Sequence, residues 1–241
     1  MIAVAPGPFA DLARRTVTGL ALGAVALAAF WLGGWVSAAL LAVAAALMVV
    51  ELRRVAGAED ALGHVAAGLA AAGVLVTEAT LLRYGMAVAG VGALILLWRD
   101  GPVRIWTALG LLWITGGLGS IDGLRTDPAF GFEAVLWLVA VVVATDVGAY
   151  FGGRLIGGPK LWPRVSPGKT WAGLLAGVLL AALVGAAFSA ATVKTFVGEV
   201  ATVSALTALV AQAGDLLESV FKRRFGAKDS GGLLPGHGGL L

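Results

Sequence analysis

The chain has 241 residues, of which 59% are hydrophobic and 13% charged, and its mean hydropathy is +0.95. Soluble domains carry about 25% charged residues, whereas a helix needs roughly 20 apolar residues to cross a bilayer. The composition therefore excludes an ordinary soluble enzyme, and the absence of cysteine excludes disulfides and thiolate metal sites. A net charge of +3 carries meaning only once the charges are placed.

In chain order, apolar runs predict eight spans, over 16–32, 35–50, 61–77, 80–98, 104–120, 134–151, 170–190 and 196–218. The first follows Arg14 and Arg15, a pattern that also suits a signal peptide. The short Gly33-Gly34 turn leads straight into a second span, which favours an uncleaved first helix. Backbone in lipid must satisfy its own hydrogen bonds, and continuous runs of this length do so as helices rather than barrel strands. The expected fold is an all-α polytopic membrane protein, with amino-terminal helices over 1–133 and a carboxyl-terminal transmembrane region with cytoplasmic loops over 134–241. Gly19-xxx-Gly23 and Gly173-xxx-Gly177 have the spacing that lets helices approach closely.

With the amino terminus inside, eight spans return the carboxyl end to the cytoplasm. All of the 17 Lys and Arg residues except Arg83, Arg125 and Lys194 then fall on the cytoplasmic side, as the positive-inside rule requires. Trp31, Trp35 and Trp137 mark outer edges, Trp98, Trp106, Trp162 and Trp171 inner ones, and Trp113 reads as mid-span packing. His64, inside a span with no matching partner, reads as packing or a helix-interface hydrogen bond.

Two cytoplasmic segments stand out, 154–170 (RLIGGPKLWPRVSPGKT) and 214–241 (GDLLESVFKRRFGAKDSGGLLPGHGGLL). Each follows a span that holds an acid near its cytoplasmic end, Asp146 in one case and Asp215 in the other. A carboxylate in a membrane segment is costly, so it faces a polar cavity, a cation or a partner, or snorkels to the interface. Asp215, Glu218, Ser219 and Lys222 fall on one helix face, and Arg223 continues the stripe. Beyond it, Lys228-Asp229 and the glycines around His237 offer cations, a carboxylate and a backbone free to approach a ligand. Such a set suits a polyphosphate held together with Mg²⁺.

The stretch PRVSPGKT, 163–170, has Walker A spacing except that Pro163 stands where the first glycine belongs. A phosphate loop joins a strand to a helix and uses backbone N–H groups, one of which Pro163 lacks, so a nucleotide-hydrolysing P-loop is rejected. Ser166, Lys169 and Thr170 are instead expected at a helix start, where free N–H groups favour anions.

Together these segments resemble the phosphatidate cytidylyltransferase (CDP-diacylglycerol synthase) family. The matching residues are Ser219, Lys222-Arg223, Lys228-Asp229 and His237-Gly238-Gly239, with DVGAYFGGR (146–154) and SPGKTW (166–171) upstream. The likeness covers roughly 134–241, while the amino-terminal spans match only in being hydrophobic. The resemblance implies transfer of the cytidylyl group of CTP to phosphatidic acid, with Mg²⁺ and room for a second cation. It implies catalytic roles for Asp215, Lys222, Arg223, Lys228, Asp229 and His237, and metal binding by Asp215 and Asp146. Substrate contacts would come from Ser166, Lys169, Thr170, Ser219, Gly238 and Gly239.

Two departures accompany the likeness. Ala172 stands where the family has Glu after Lys-Thr-Trp, and the sequence reaches only Leu241, where the family's Asp-Arg-x-Asp would begin. The chain is accordingly read as truncated, with an activity weakened by one missing metal ligand. The expected partners are CTP, phosphatidic acid and membrane lipid, with no nucleic acid, and the glycine-rich faces permit a homodimer. The expected location is the cell (inner) membrane with the amino terminus and active site cytoplasmic. An ion-coupled transporter using Asp146 and Asp215, and a non-catalytic remnant of the enzyme, are the alternatives.

Overall fold

A computed structural model describes residues 8–227, 230–231 and 239–240 of the chain. Its elements in order are α1 (Pro8–Leu32), α2 (Gly34–Val55), α3 (Ala61–Ala79), α4 (Leu82–Arg99), α5 (Arg104–Arg125) and α6 (Gly131–Leu155). There follow β1 (Lys160–Trp162), β2 (Ser166–Thr170), α7 (Trp171–Thr192) and α8 (Val197–Arg224). Each predicted span coincides with one α-helix, so the all-α, polytopic architecture stands. Helices α2, α3, α4, α6, α7 and α8 are long and apolar enough to cross a membrane, and α1 adds the shorter apolar stretch Thr16–Leu32.

The chain divides into two compact units, one of Met1–Phe132 with Phe225–Leu241, the other of Glu133–Arg224. In the first, α2 packs on α3 and α5, α3 on α4 and α5, and α4 on α5, while α1 touches α2. The interior is largely alanine and leucine, including Ala38, Ala45, Ala70, Ala89 and Leu111, each completely buried. Small side chains bring the helix backbones close, which supplies the van der Waals contact that drives association where lipid is as apolar as the protein. The α1–α2 turn has positive φ at Gly33 (67°) and Gly34 (52°), a conformation that carries little cost only for glycine. Arg125 from α5 donates its Nη2 to the Trp31 carbonyl at 3.2 Å and its Nε to the Phe30 carbonyl. A cation there satisfies the open carbonyls at the end of α1.

The opposite ends of these helices carry an ionic cluster around the buried Arg53, which from sequence counts only among the cytoplasmic-side cations. Arg53, 1% exposed, donates Nη1 to Asp100 Oδ2 at 2.6 Å and Nη2 to Asp60 Oδ1 at 2.8 Å. Thr107 also donates its hydroxyl to Asp100. Asp60 is at the same time the N-cap of α3, accepting the Gly63 N–H at 3.0 Å. Partial burial alone would raise the Asp60 carboxyl, but the Arg53 and Gly63 donors outweigh it and hold the group below its ordinary value.

The second unit is α6, the β1–β2 hairpin, α7 and α8. Val141, Ala181 and Ala208, one from each helix, form its core, with Trp137 and Val178 against them. Trp137 therefore is not simply an interface marker: its indole N–H donates to Ser204 Oγ at 2.9 Å inside the unit. Trp113, expected to pack, is 63% exposed, and His64, also expected to pack, is exposed. The two glycine pairs differ as well. A Cβ on Gly177 would stand 2.7 Å from the Thr145 carbonyl oxygen and one on Gly173 2.7 Å from that of Ala149. These two glycines thus let α7 lie directly on α6. Gly23, by contrast, has nothing within 4 Å.

Candidate active site

The chemistry-bearing residues of the second unit meet where α6, β2, α7 and α8 converge. The β1–β2 hairpin is antiparallel, pairing Lys160 with Thr170 and Trp162 with Ser166. Its second strand corrects the expected helix start: Ser166 and Lys169 lie in β2, and the helix begins only at Trp171. Pro167 and Gly168 within this stretch disfavour helix, and Thr170 supplies a cap, its hydroxyl accepting the Gly173 N–H at 3.1 Å. Thr170 is buried, and its side chain satisfies one of the N–H groups that an anion would otherwise meet.

Lys169 is held by α8. Its Nζ donates to Asp215 Oδ2 at 2.8 Å and to Gln212 Oε1 at 3.1 Å. Gln212 and Asp215 are three residues apart, hence neighbours on one face of the helix. Asp146 on α6 faces the same place, with Asp215 and Lys169 close enough to act on its charge. These groups, with Ala149, Tyr150, Gly168, Thr170, Gly173 and Leu174, line a cavity of about 230 Å³. Both aspartates are exposed rather than sealed in the helix packing.

The predicted stripe on α8 is present, but its members are differently engaged. Glu218 and Lys222 form an ion pair one helical turn apart, and Ser219 donates its hydroxyl to the Asp215 backbone carbonyl at 2.8 Å. Arg223 points its Nε toward the Val165 carbonyl, 3.5 Å away, tying α8 to the hairpin. Gly239 is described in the first unit, near Glu51. Lys228, Asp229, His237 and Gly238 lie outside the described residues.

The site holds features that suit a divalent cation. Two carboxylates share one cavity with a single lysine, so the trio keeps a negative charge that a cation would compensate. Among the described residues no group of three or more His, Cys, Asp or Glu side chains gathers around one point. Protein cages are unusual for Mg²⁺, which commonly takes one or two carboxylates and completes its shell with water and substrate phosphate. Of the polar members of the cavity, Gln212 was missed by sequence reasoning, and Tyr150, within DVGAYFGGR, was given no role of its own. A glutamine one turn before Asp215 in an apolar helix was the available signal for the first.

The fold and cavity define the class: a polytopic, all-helical membrane protein with a cluster of acids and a lysine at the ends of its helices. The family model described as the cytidylyltransferase family matches residues 13–241, and the chain belongs to that family. It is 41% identical over 239 residues to the phosphatidate cytidylyltransferase of Brucella suis biovar 1 (strain 1330), covering 96% of this chain and 87% of that protein. The same identity and coverage relate it to the phosphatidate cytidylyltransferase of Brucella melitensis biotype 1. The phosphatidate cytidylyltransferase of Helicobacter pylori (strain 26695) is 49% identical over 125 residues, 52% of this chain and 46% of that protein. Similarity to the Brucella proteins thus extends through the amino-terminal helices, beyond the segments whose motifs are legible.

Proposed function

We propose that this protein transfers the cytidylyl group of CTP to phosphatidic acid, forming CDP-diacylglycerol and pyrophosphate at the cytoplasmic face of the cell membrane. The observation that carries this reading is the meeting of Lys169, Asp146 and Asp215 in one cavity of a chain belonging to the cytidylyltransferase family. Family membership favours a group transferase over an ion-coupled carrier.

In the reaction, an oxygen of the lipid phosphate attacks the α-phosphorus of CTP, and the bond from that phosphorus to the bridging oxygen breaks. Pyrophosphate leaves with that electron pair. The attacking phosphate is already ionised, so the protein need not remove a proton. Its task is to align two anions and to neutralise the charge that grows on the transferred and departing groups.

Lys169 is suited to the phosphates of CTP, with Gln212 and Asp215 holding its ammonium in place. Asp146 and Asp215 are the residues to hold a divalent cation, with Mg²⁺ the specific ion proposed. When bound, that cation supplies a concentrated positive charge for the phosphate oxygens. By their match to the family pattern, Lys222, Arg223 and Lys228 contact phosphates, and Asp229 orients a neighbouring lysine or a water. Ser166, Thr170, Ser219, His237, Gly238 and Gly239 complete the substrate contacts.

The test is incorporation of label from [α-³²P]CTP into chloroform-soluble lipid by membranes carrying this chain, supplied with phosphatidic acid and Mg²⁺. Labelled CDP-diacylglycerol is expected, dependent on both additions. Membranes that instead show sodium- or proton-driven solute uptake and no labelled lipid would overturn the reading.

A further inference from the structure

The amino-terminal helices contain an acid that the proposed chemistry leaves unused. Glu51 stands on α2, two residues before Arg53, and is completely buried. Its Oε2 accepts the backbone N–H of Leu240 at 2.6 Å, a hydrogen bond spanning 189 positions of sequence. A Cβ added to Gly231 would stand 2.7 Å from Glu51 Oε1. One added to Gly239 would stand 2.6 Å from Oε2 and 2.8 Å from Oε1. Gly239 also lies against Ser230 Oγ, and Ser230 is itself buried. Residues 231, 239 and 240 are therefore all packed against one carboxylate of α2, with glycine at two of the three positions.

A buried carboxylate is a poor way to fill space, because its charge must be met by donors. It is a good way to hold irregular backbone, whose N–H groups have no helix or sheet to satisfy them. The backbone it holds is no arbitrary segment. Ser230 directly follows Lys228-Asp229, and Gly239 closes His237-Gly238-Gly239, the two motifs by which this end of the chain resembles the family.

We infer that Glu51 is a positioning residue for the reaction: it clamps residues 230–231 and 239–240 to α2, and among them Gly239, the described residue of the family pattern. The inference rests on the cytidylyl-transfer reading for its consequence, but the clamp itself has a readout that needs no substrate. Hydrogen exchange followed by mass spectrometry on the full chain in nanodiscs reports directly on the peptide containing Leu240. Loss of a buried hydrogen bond to a charged acceptor corresponds to roughly tenfold or greater acceleration of exchange.

Glu51→Ala is expected to show that acceleration at residues 230–231 and 239–240, with peptides of α7 and α8 unchanged. It should also lower kcat for cytidylyl transfer about tenfold or more, the scale on which small misplacements act. Glu51→Gln keeps an acceptor oxygen and should restore much of the protection and part of the rate. Gly239→Ala, which pushes a methyl group at an intact Glu51, should release the same segment.

Unchanged exchange at Leu240 in both Glu51→Ala and Gly239→Ala would overturn the clamp. Released backbone with an undiminished kcat would overturn its positioning role. Acceleration in every peptide of both variants would make Glu51 a general core residue and also overturn the inference. If the unmutated chain forms no CDP-diacylglycerol, the functional reading fails separately, while exchange still decides on the clamp.

Discussion

At the scale of single residues, the most informative contact is the one between Lys169 and Asp215. It is an ion pair of 2.8 Å whose side chains are 24% and 52% exposed, so its own contribution to stability is no more than about 1 kcal/mol. On the proposed reading, a pair that stabilises so little, beside a second carboxylate and a cavity, would exchange partners on binding phosphate and cation. Asp215→Asn should leave the thermal midpoint nearly unaltered and lower Mg²⁺-dependent kcat by about a hundredfold or more. Full Mg²⁺-dependent turnover in that variant would remove Asp215 from its proposed role. Lys169→Ala should act mainly through CTP, raising its KM together with a fall in kcat, in the same lipid-incorporation assay. Asp146 and Asp215 were visible in the sequence as charges where charge is costly, and Lys169 through the phosphate-loop-like spacing of 163–170. Gln212 was less visible, since an amide is neutral and its contact to Lys169 crosses 43 positions.

At the scale of elements, helix ends and helix crossings do the positioning. The α6–α7 crossing depends on Gly173 and Gly177 having no side chains, and it is this closeness that sets Asp146 on α6 beside the start of α7. Gly177→Val would drive a Cβ into the Thr145 carbonyl, forcing the helices apart at a cost of about 1–3 kcal/mol. A fall in thermal midpoint in detergent, accompanied by loss of transfer, is the expected result.

The Arg53 cluster is the corresponding device among α2, α3, α4 and α5. Arg53→Ala would strand Asp100, whose side chain is 3% exposed, and should destabilise by about 3–5 kcal/mol. The cluster also predicts an acid dependence. Asp60 has a lowered pKa in the folded state, so its contribution is fully present above the ordinary carboxylate value and is lost as pH falls through the lower, folded-state value. Thermal midpoints measured from about pH 5 downward should therefore drop less steeply in Asp60→Asn than in the unmutated chain.

At the scale of the whole molecule, the charge asymmetry of the loops makes a topological prediction. The chain has no cysteine, so single cysteines can be introduced without removing any. In inside-out and right-side-out vesicles, Arg164→Cys should react with a membrane-impermeant thiol reagent only when the cytoplasmic face is accessible. Lys194→Cys should react only from the opposite face. Labelling of both from one side would refute the proposed orientation.

The sequence by itself determined that this is a polytopic helical membrane protein, where its helices run, and which carboxyl-terminal residues carry the family pattern. Those properties are local: apolar runs of bilayer length must form helices, and the motifs are short and contiguous. Only the tertiary structure decided that Arg53, counted from sequence simply among the cytoplasmic-side cations, is a buried ion-pair partner. The same holds for Ser166 and Lys169, which lie on a strand, for Lys169, which reaches Gln212 and Asp215, and for Glu51, which accepts the Leu240 N–H. Each of these facts joins residues far apart in sequence. Hydropathy sees a charge only against its immediate neighbours, whereas burial and pairing depend on which distant backbone arrives beside it.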